Sequence, residues 1–205
     1  MCCLLLAACA DVPADGTERY VVLPQDTLYS IAWRHDLDFR ELARWNNIGP
    51  DFRISVGQVL IMGPVPKPVV GKPQPLAGTP RITSSSLPWA WPTDRIGAPR
   101  PASGGGVILS GHLGQNVRAA SAGRVVYTGS GLRGYGNLII IKHADSWLSA
   151  YGHNRDILVH EGQDVALGQV IAHMGEDAHQ AAILYFEIRQ NGRPVDPLNY
   201  LSNMK

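Results

Sequence analysis

Cysteine is confined to positions 2, 3 and 9, so nothing from residue 10 onward can form an intrachain disulfide or a thiolate metal site. Charge is nearly balanced: 18 Lys and Arg against 17 Asp and Glu leave a formal net charge of +1, which gives no electrostatic case for nucleic acid as a partner. Long apolar runs are missing too. Beyond the first ten residues nothing approaches the roughly 20 consecutive apolar residues that a membrane-spanning helix needs. No Gly-x-Ser-x-Gly elbow is present, so serine-nucleophile chemistry has no support. What the chain has in quantity is glycine (22) and proline (15), and its 45% hydrophobic content over 205 residues suffices for one or two modest cores plus linkers.

Residues 1–9 form a short apolar run that ends in small residues before a cysteine, Leu4-Leu-Leu-Ala-Ala-Cys9. This resembles a bacterial lipobox, although no Lys or Arg precedes the run as in an ordinary signal peptide. The resemblance implies that Cys9 becomes a diacylated and N-acylated first residue. Several acyl chains give stable anchoring where a single chain binds only marginally. Ala10 at the next position, rather than Asp, favours the outer membrane by the same resemblance.

Residues 19–63 read as strand, helix, helix, strand. Tyr20-Val-Val22 and Gln58-Val-Leu-Ile61 are strand candidates, while Leu28-x-x-Ile31-Ala32 and Phe39-x-x-Leu42-Ala43 carry apolar residues at helical spacing. Asp26 and Thr27 are N-cap types before the first helix, as Asp38 is before the second. The strings Tyr20-Val-Val-x-x-Gln-Asp-Thr-Leu-x-x-Ile-Ala32, Leu42-Ala-Arg-Trp-Asn-Asn-Ile48 and Ile54-x-Val-Gly-Gln-Val-Leu60 together resemble a LysM domain, with Gln25 where that family usually has glycine. The resemblance implies binding of N-acetylglucosamine-containing glycan between two loops, Asp26-Thr27-Leu28 and Asn46-Asn47-Ile48. Backbone amides and Asn side chains would bond acetamido groups while Leu28 and Ile48 cover the sugar face. The alternative is that the Asn residues cap helix ends and the apolar pair is core.

Residues 64–88 are rich in Pro, Ser, Gly and Lys, cannot build a core, and are expected to be an extended linker that separates the two halves of the chain. Residues 89–205 read differently. Short β-rich runs punctuated by glycine, among them Val125-Val-Tyr127, Leu138 to Ile141, Trp147 to Tyr151 and Leu184 to Ile188, predict an antiparallel all-β domain. The fold class is therefore α+β with two domains.

Five ordered strings in this second domain, Gly123-Arg-Val-Val-Tyr127, Gly134-Tyr-Gly-Asn-Leu-Ile-Ile-Ile-Lys-His143, Tyr151-Gly-His-Asn154, Gly168-Gln-Val-Ile-Ala172 and Phe186-Glu-Ile-Arg189, resemble the LytM-like, lysostaphin-type zinc endopeptidases of peptidoglycan. In that family a His-x-Gly-x-Asp motif and the second His of a late His-x-His hold zinc. Carried over position by position, these ligands fall on Gly104, Ile108 and Tyr185. The proton-handling first His of the late motif falls on Ile183. His112-Leu-Gly-Gln-Asn116 looks like the early motif but lies too close to the following strand. Of the family's site, His153 persists, and one imidazole does not make the three protein ligands of a catalytic zinc. No cofactor is expected on this reading.

Lipobox, one LysM, linker and degenerate LytM domain in this order resemble the NlpD-type murein hydrolase activators. That resemblance implies a lipoprotein on the periplasmic face of the outer membrane, enriched at the division septum, that binds peptidoglycan and activates a periplasmic N-acetylmuramoyl-L-alanine amidase through a catalytically dead groove. The groove floor would be Tyr151, His153, Ile183 and Tyr185, with Leu132, Arg133 and Tyr135 as the rim, where Arg and Tyr commonly act as anchors. Two other readings stand beside it. One is a weak zinc endopeptidase with an alternative ligand set, for example His153, His173 and His179. The other is a passive wall-binding anchor.

Overall fold

The structure is a computed structural model and describes residues 18–63, 87–94 and 97–201. The lipidation candidate Cys9 and almost all of the linker lie outside these residues. The expectation of two units, one βααβ and one antiparallel β, holds.

In the first unit β1 (Arg19–Val21) pairs antiparallel with β2 (Val59–Ile61), and α1 (Leu28–Arg34) and α2 (Phe39–Trp45) lie between them in sequence. Both helices start where their caps predict. Thr27 accepts from the Ser30 amide and Ser30 returns a bond to the Thr27 amide, a reciprocal capping box, while Asp38 accepts from the Arg40 amide. Gln25 sits at φ 70°, in the left-handed region, which accounts for the glycine preference at this turn.

The second unit is built from β3 (Arg100–Pro101), β4 (Val107–Ser110), β5 (Asn116–Arg118), β6 (Gly123–Gly129), β7 (Asn137–Lys142), β8 (Trp147–Ile157), β9 (Asp164–Val165), β10 (Val170–Glu176), β11 (Ala182–Gln190) and β12 (Arg193–Val195). All pairings are antiparallel, and the main run of the sheet is β4-β11-β8-β7-β6. Strand β8 changes partner halfway: residues 147–152 pair with β11, and residues from Asn154 onward pair with β10. His153 stands at this break with φ 58°, a bulge that turns its side chain out of register with the rest of the strand.

The two faces of the sheet bury different things. Val125, Ile139, Ile141, Tyr151, Leu184, Phe186 and Ile188 form one core together with Trp89, Val117 and Ile171. On the other face Tyr127, Leu138, Ile140, Leu148 and Ala150 join Leu28, Ile31, Trp33, Phe39 and Leu42 of the first unit in a second, continuous core. The expected separation of the two domains is therefore overturned: the helical unit covers part of the sheet. The four consecutive apolar residues Leu138 to Ile141, all fully buried, are the local cause, because a strand lacking a polar side must be covered on both faces. Polar contacts pin the same junction. Arg189 on β11 donates to the Trp33 carbonyl at 2.8 Å, pairs with Asp36 at 3.0 Å and lies 3.8 Å above the Trp33 ring. Gly192 follows so closely that a Cβ there would sit 2.5 Å from the backbone of Leu37 and Asp38.

Candidate functional site

Three positions that the peptidase resemblance assigns to metal ligands come together in space. Ile108 and Tyr185 are directly opposed across the β4–β11 pair, and a Cβ on Gly104 would lie 3.6 Å from the Tyr185 hydroxyl. Gly104 and Ile108 carry no side-chain donor atom. Tyr185 is 5% exposed and its hydroxyl donates to the Glu187 carboxylate. Burial first, then the charge of Glu187, push the phenol pKa far above its usual value. A protonated phenol committed to a carboxylate is not available to a metal, so this trio does not fit a zinc ion. Among the described residues no cluster of three His, Cys, Asp or Glu suits a metal. His173 instead contacts Asp156 at 3.0 Å.

Glu187 and Arg189 continue the same face of β11 away from Tyr185. The guanidinium Nε lies 2.6 Å from the Glu187 carboxylate, and both side chains are almost wholly buried. Burial raises the Glu187 pKa, opposed by the Arg189 charge. A buried polar line thus runs from the Tyr185 position through Glu187 and Arg189 to the Trp33 carbonyl of the helical unit and ends on exposed Asp36.

The rim and floor are only partly as expected. Tyr135 is half-buried and stacks edge-on against Tyr185 with ring centres 5.0 Å apart. Its carbonyl accepts from the His153 amide at 2.7 Å, which holds the bulge in place. Partial burial lowers the His153 pKa, offset by the charge of Asp177. Arg133 is exposed, and Ile183 is buried beside Tyr185 on β11. Two residues require correction. Tyr151 is 0% exposed and belongs to the opposite core, where its hydroxyl accepts from the Ala120 amide and meets Ser149, because alternation along β8 points it away from Tyr185. Leu132 is buried against the helical unit and forms no rim. The Gly104–Gly106 loop is also firmer than its composition suggests. A Cβ at Gly106 would lie 2.8 Å from both the Tyr185 ring and the Phe186 carbonyl, so glycine serves close approach here.

The glycan-site expectations divide in the same manner. Leu28 is 0% exposed and points into the shared core, so it cannot cover a sugar. Thr27 is occupied as the cap of α1, and Asp26 accepts from the Tyr20 hydroxyl, the Leu23 amide and Arg34. Asn46 braces the hairpin: its amide donates to the Leu42 and Ile61 carbonyls and its oxygen accepts from the Ile61 amide. Asn47 and Ile48 keep exposed surface, Asn47 at φ 52°. The residues that sequence reasoning passed over are Tyr29 and Phe52, whose rings stand 5.7 Å apart edge-on beside these loops. The helical spacing Leu28-x-x-Ile31 left Tyr29 off the buried stripe, and that was the available signal for it.

Comparison with known proteins agrees with both units. The LysM domain family matches residues 20–63, and Peptidase family M23 matches residues 103–197. A lipoprotein NlpD/LppB homolog of Pseudomonas aeruginosa is 40% identical over 97% of this chain and 89% of its own length. The lipoprotein YgeR of Escherichia coli is 37% identical over 97% of this chain and 88% of its own, and the murein hydrolase activator NlpD of Salmonella typhimurium is 34% identical over 91% and 68%. Among solved structures, Csd3 of Helicobacter pylori is 26% identical with a TM-score of 0.50, covering 58% of this chain and 34% of that one. Gathered on one chain, the two matched domains and the relatives spanning both place it in the NlpD/LppB family of lipoproteins.

Proposed function

We propose that this protein is a non-catalytic activator of a periplasmic N-acetylmuramoyl-L-alanine amidase, anchored to the outer membrane through acylated Cys9 and bound to septal peptidoglycan by its LysM domain during daughter-cell separation. The observation that carries the reading is the meeting of Gly104, Ile108 and Tyr185 at one point with no ligand set among them. A cleft of the peptidase fold whose floor is largely apolar and phenolic can hold a polypeptide, but Gly104, Ile108 and Tyr185 give it no ligand set for a water-activating metal. The remaining surface suits such a role. Tyr135 stands beside His153 and Tyr185, and Arg133, two residues before it, is exposed; they are a cation and an aromatic of the kind that dominate protein interfaces. An amphipathic segment of the amidase, laid along Arg133 and Tyr135, is the natural occupant. Relatives named murein hydrolase activators support the regulatory part of the reading.

The test is release of dye from labelled peptidoglycan by a purified amidase with and without the full chain. The expected result is that the amidase alone is slow, the chain alone releases nothing, and the mixture is fast. The Arg133→Ala/Tyr135→Ala variant should lose most of the stimulation. Dye release by the chain alone, abolished by a chelator, would overturn the proposal in favour of an endopeptidase. A folded chain that binds peptidoglycan but leaves every amidase at its basal rate would favour the passive anchor.

A further inference from the structure

Where the helical unit meets the sheet, a cleft of about 770 Å³ opens between them. From the first unit it is lined by Asp26 and Thr27 at the start of α1, by Tyr29 in its first turn and by Pro50 to Ile54 on a loop. From the second it is lined by Arg124, Val126, Lys142 and Glu161. Its volume is in the range of small-molecule sites, and its walls come from both domains. A LysM domain alone would therefore possess only half of it.

The charges in the cleft are unevenly committed. Asp26 is held by Arg34 and Tyr20, and Glu161 accepts from the Thr128 amide at 3.1 Å. On the basic side, Lys142 forms no ion pair among the described residues. Arg124 uses only its Nε, on the Gly162 carbonyl at 2.9 Å and on exposed Asp164 at 3.4 Å, which leaves both terminal nitrogens without a hydrogen bond among the described residues. Arg53 is paired only loosely, at 3.5 Å, with exposed Asp51. Three bases, Arg53, Arg124 and Lys142, thus face three acids, Asp26, Asp51 and Glu161, and with Asp26 already compensated by Arg34 the unused hydrogen-bond donors lie on the basic side. The aromatic wall is equally specific. Phe52 adopts φ 54°, a left-handed conformation costly for an aromatic residue, and is held there between the rings of Tyr29 and Phe39. The Tyr29 hydroxyl has no hydrogen-bond partner among the described residues. Burial raises its pKa to about 12, so it stays a neutral donor.

We infer that this two-domain cleft binds a peptide-bearing glycan strand, with the sugar against Tyr29 and Phe52 and the carboxylates of the attached short acidic peptide on Arg124 and Lys142. The inference rests on the glycan-binding reading of the LysM domain and extends it: the second domain selects for strands that still carry peptide. Such strands are the intact substrate of an amidase, and peptide-free strands are its product, so binding would weaken as the substrate is consumed.

The test uses the full chain with two probes, peptidoglycan glycan strands carrying their peptides and the same strands stripped of peptide, with affinities measured by calorimetry at low salt. The intact chain should bind peptide-bearing strands at least tenfold more tightly. The Arg124→Gln/Lys142→Gln variant should bind both probes alike, at the affinity of the intact chain for stripped strands. A tenfold difference corresponds to about 1.4 kcal/mol, within the range for charge-assisted hydrogen bonds. Equal affinity of the intact chain for the two probes, or a variant that keeps the preference, would overturn the inference and leave glycan binding by the LysM domain standing. Failure to bind either probe would remove that reading and this one together. Because both substituted side chains are on the surface of the sheet, unchanged melting temperature serves as the folding control.

Discussion

Replacing Arg189 should loosen the helical unit from the sheet. Its side chain is 3% exposed, and it closes two buried interactions at once, with the fully buried carboxylate of Glu187 at 2.6 Å and with the Trp33 carbonyl at 2.8 Å. Arg189→Met keeps the stem that packs over Trp33 but removes the charge. Glu187 is then left in the interior with the Tyr185 hydroxyl as its remaining partner, and breaking a buried pair from one side costs about 3–5 kcal/mol. Part of this is recovered when the carboxyl takes up a proton, which its raised pKa already favours. A net loss of about 2–3 kcal/mol is therefore expected at neutral pH, from urea unfolding followed by tryptophan fluorescence. The double variant Glu187→Gln/Arg189→Met should be more stable than Arg189→Met alone, since the uncompensated charge has gone. Limited proteolysis should also cut the linker faster in Arg189→Met. If Arg189→Met unfolds at the wild-type denaturant concentration and shows no coupling to Glu187, the charge is not buried at the junction and the account of how the two units are joined is wrong.

Acidification should act through His143. Its ring lies 2.7 Å from the Ala122 carbonyl and 2.7 Å from the Ser149 hydroxyl, and burial lowers its pKa from 6.5 to about 4. The unfolded chain then binds the extra proton between those values, so stability falls as pH drops from about 6.5 to 4, by about 3 kcal/mol in all. His143→Gln should flatten that part of the pH profile of thermal unfolding, and an unchanged slope would refute the assignment. Gln25→Gly should raise stability by up to about 1 kcal/mol, because glycine adopts the left-handed turn without steric cost; a lowered melting temperature would count against it. Tyr185→Phe deletes one of the two buried bonds to Glu187 and should cost about 1–3 kcal/mol in denaturant unfolding, with no change in bound metal by elemental analysis.

The parts of the fold set by local rules were readable from residues alone. Thr27 and Asp38 cap the helices they precede, and the Gly-punctuated runs became strands. What escaped were the consequences of a long-range contact. Leu28 and Leu132 were assigned to surfaces because each sits in a loop or at an element start, yet both are covered once the helical unit packs on the sheet. The run Leu138 to Ile141 carried that information, since a half-exposed strand would alternate with polar residues. Tyr151 was misassigned for a different reason. Its neighbour His153 is bonded to Tyr135 beside Tyr185, and strand alternation would give Tyr151 and His153 the same face, but the φ 58° bulge at 153 breaks the parity. Bulges have no sequence signature strong enough to read in advance. Asn46 was left open between capping and sugar contact, and its three backbone bonds account for its amide.

Tyr185 and Arg189 are four residues apart on one strand, about 13 Å at 3.3 Å per residue, and both belong to the side of the sheet that carries the helical unit. The cleft lies farther along this side, at the β6–β7 end of the sheet where Arg124 and Lys142 line it, so a protein seated over Tyr185 and a strand lying in the cleft would approach from the same direction. Orientation would then be supplied by the scaffold before any encounter: an enzyme captured there would arrive already aimed at the polymer next to it, at a local concentration fixed by a rigid joint instead of by diffusion.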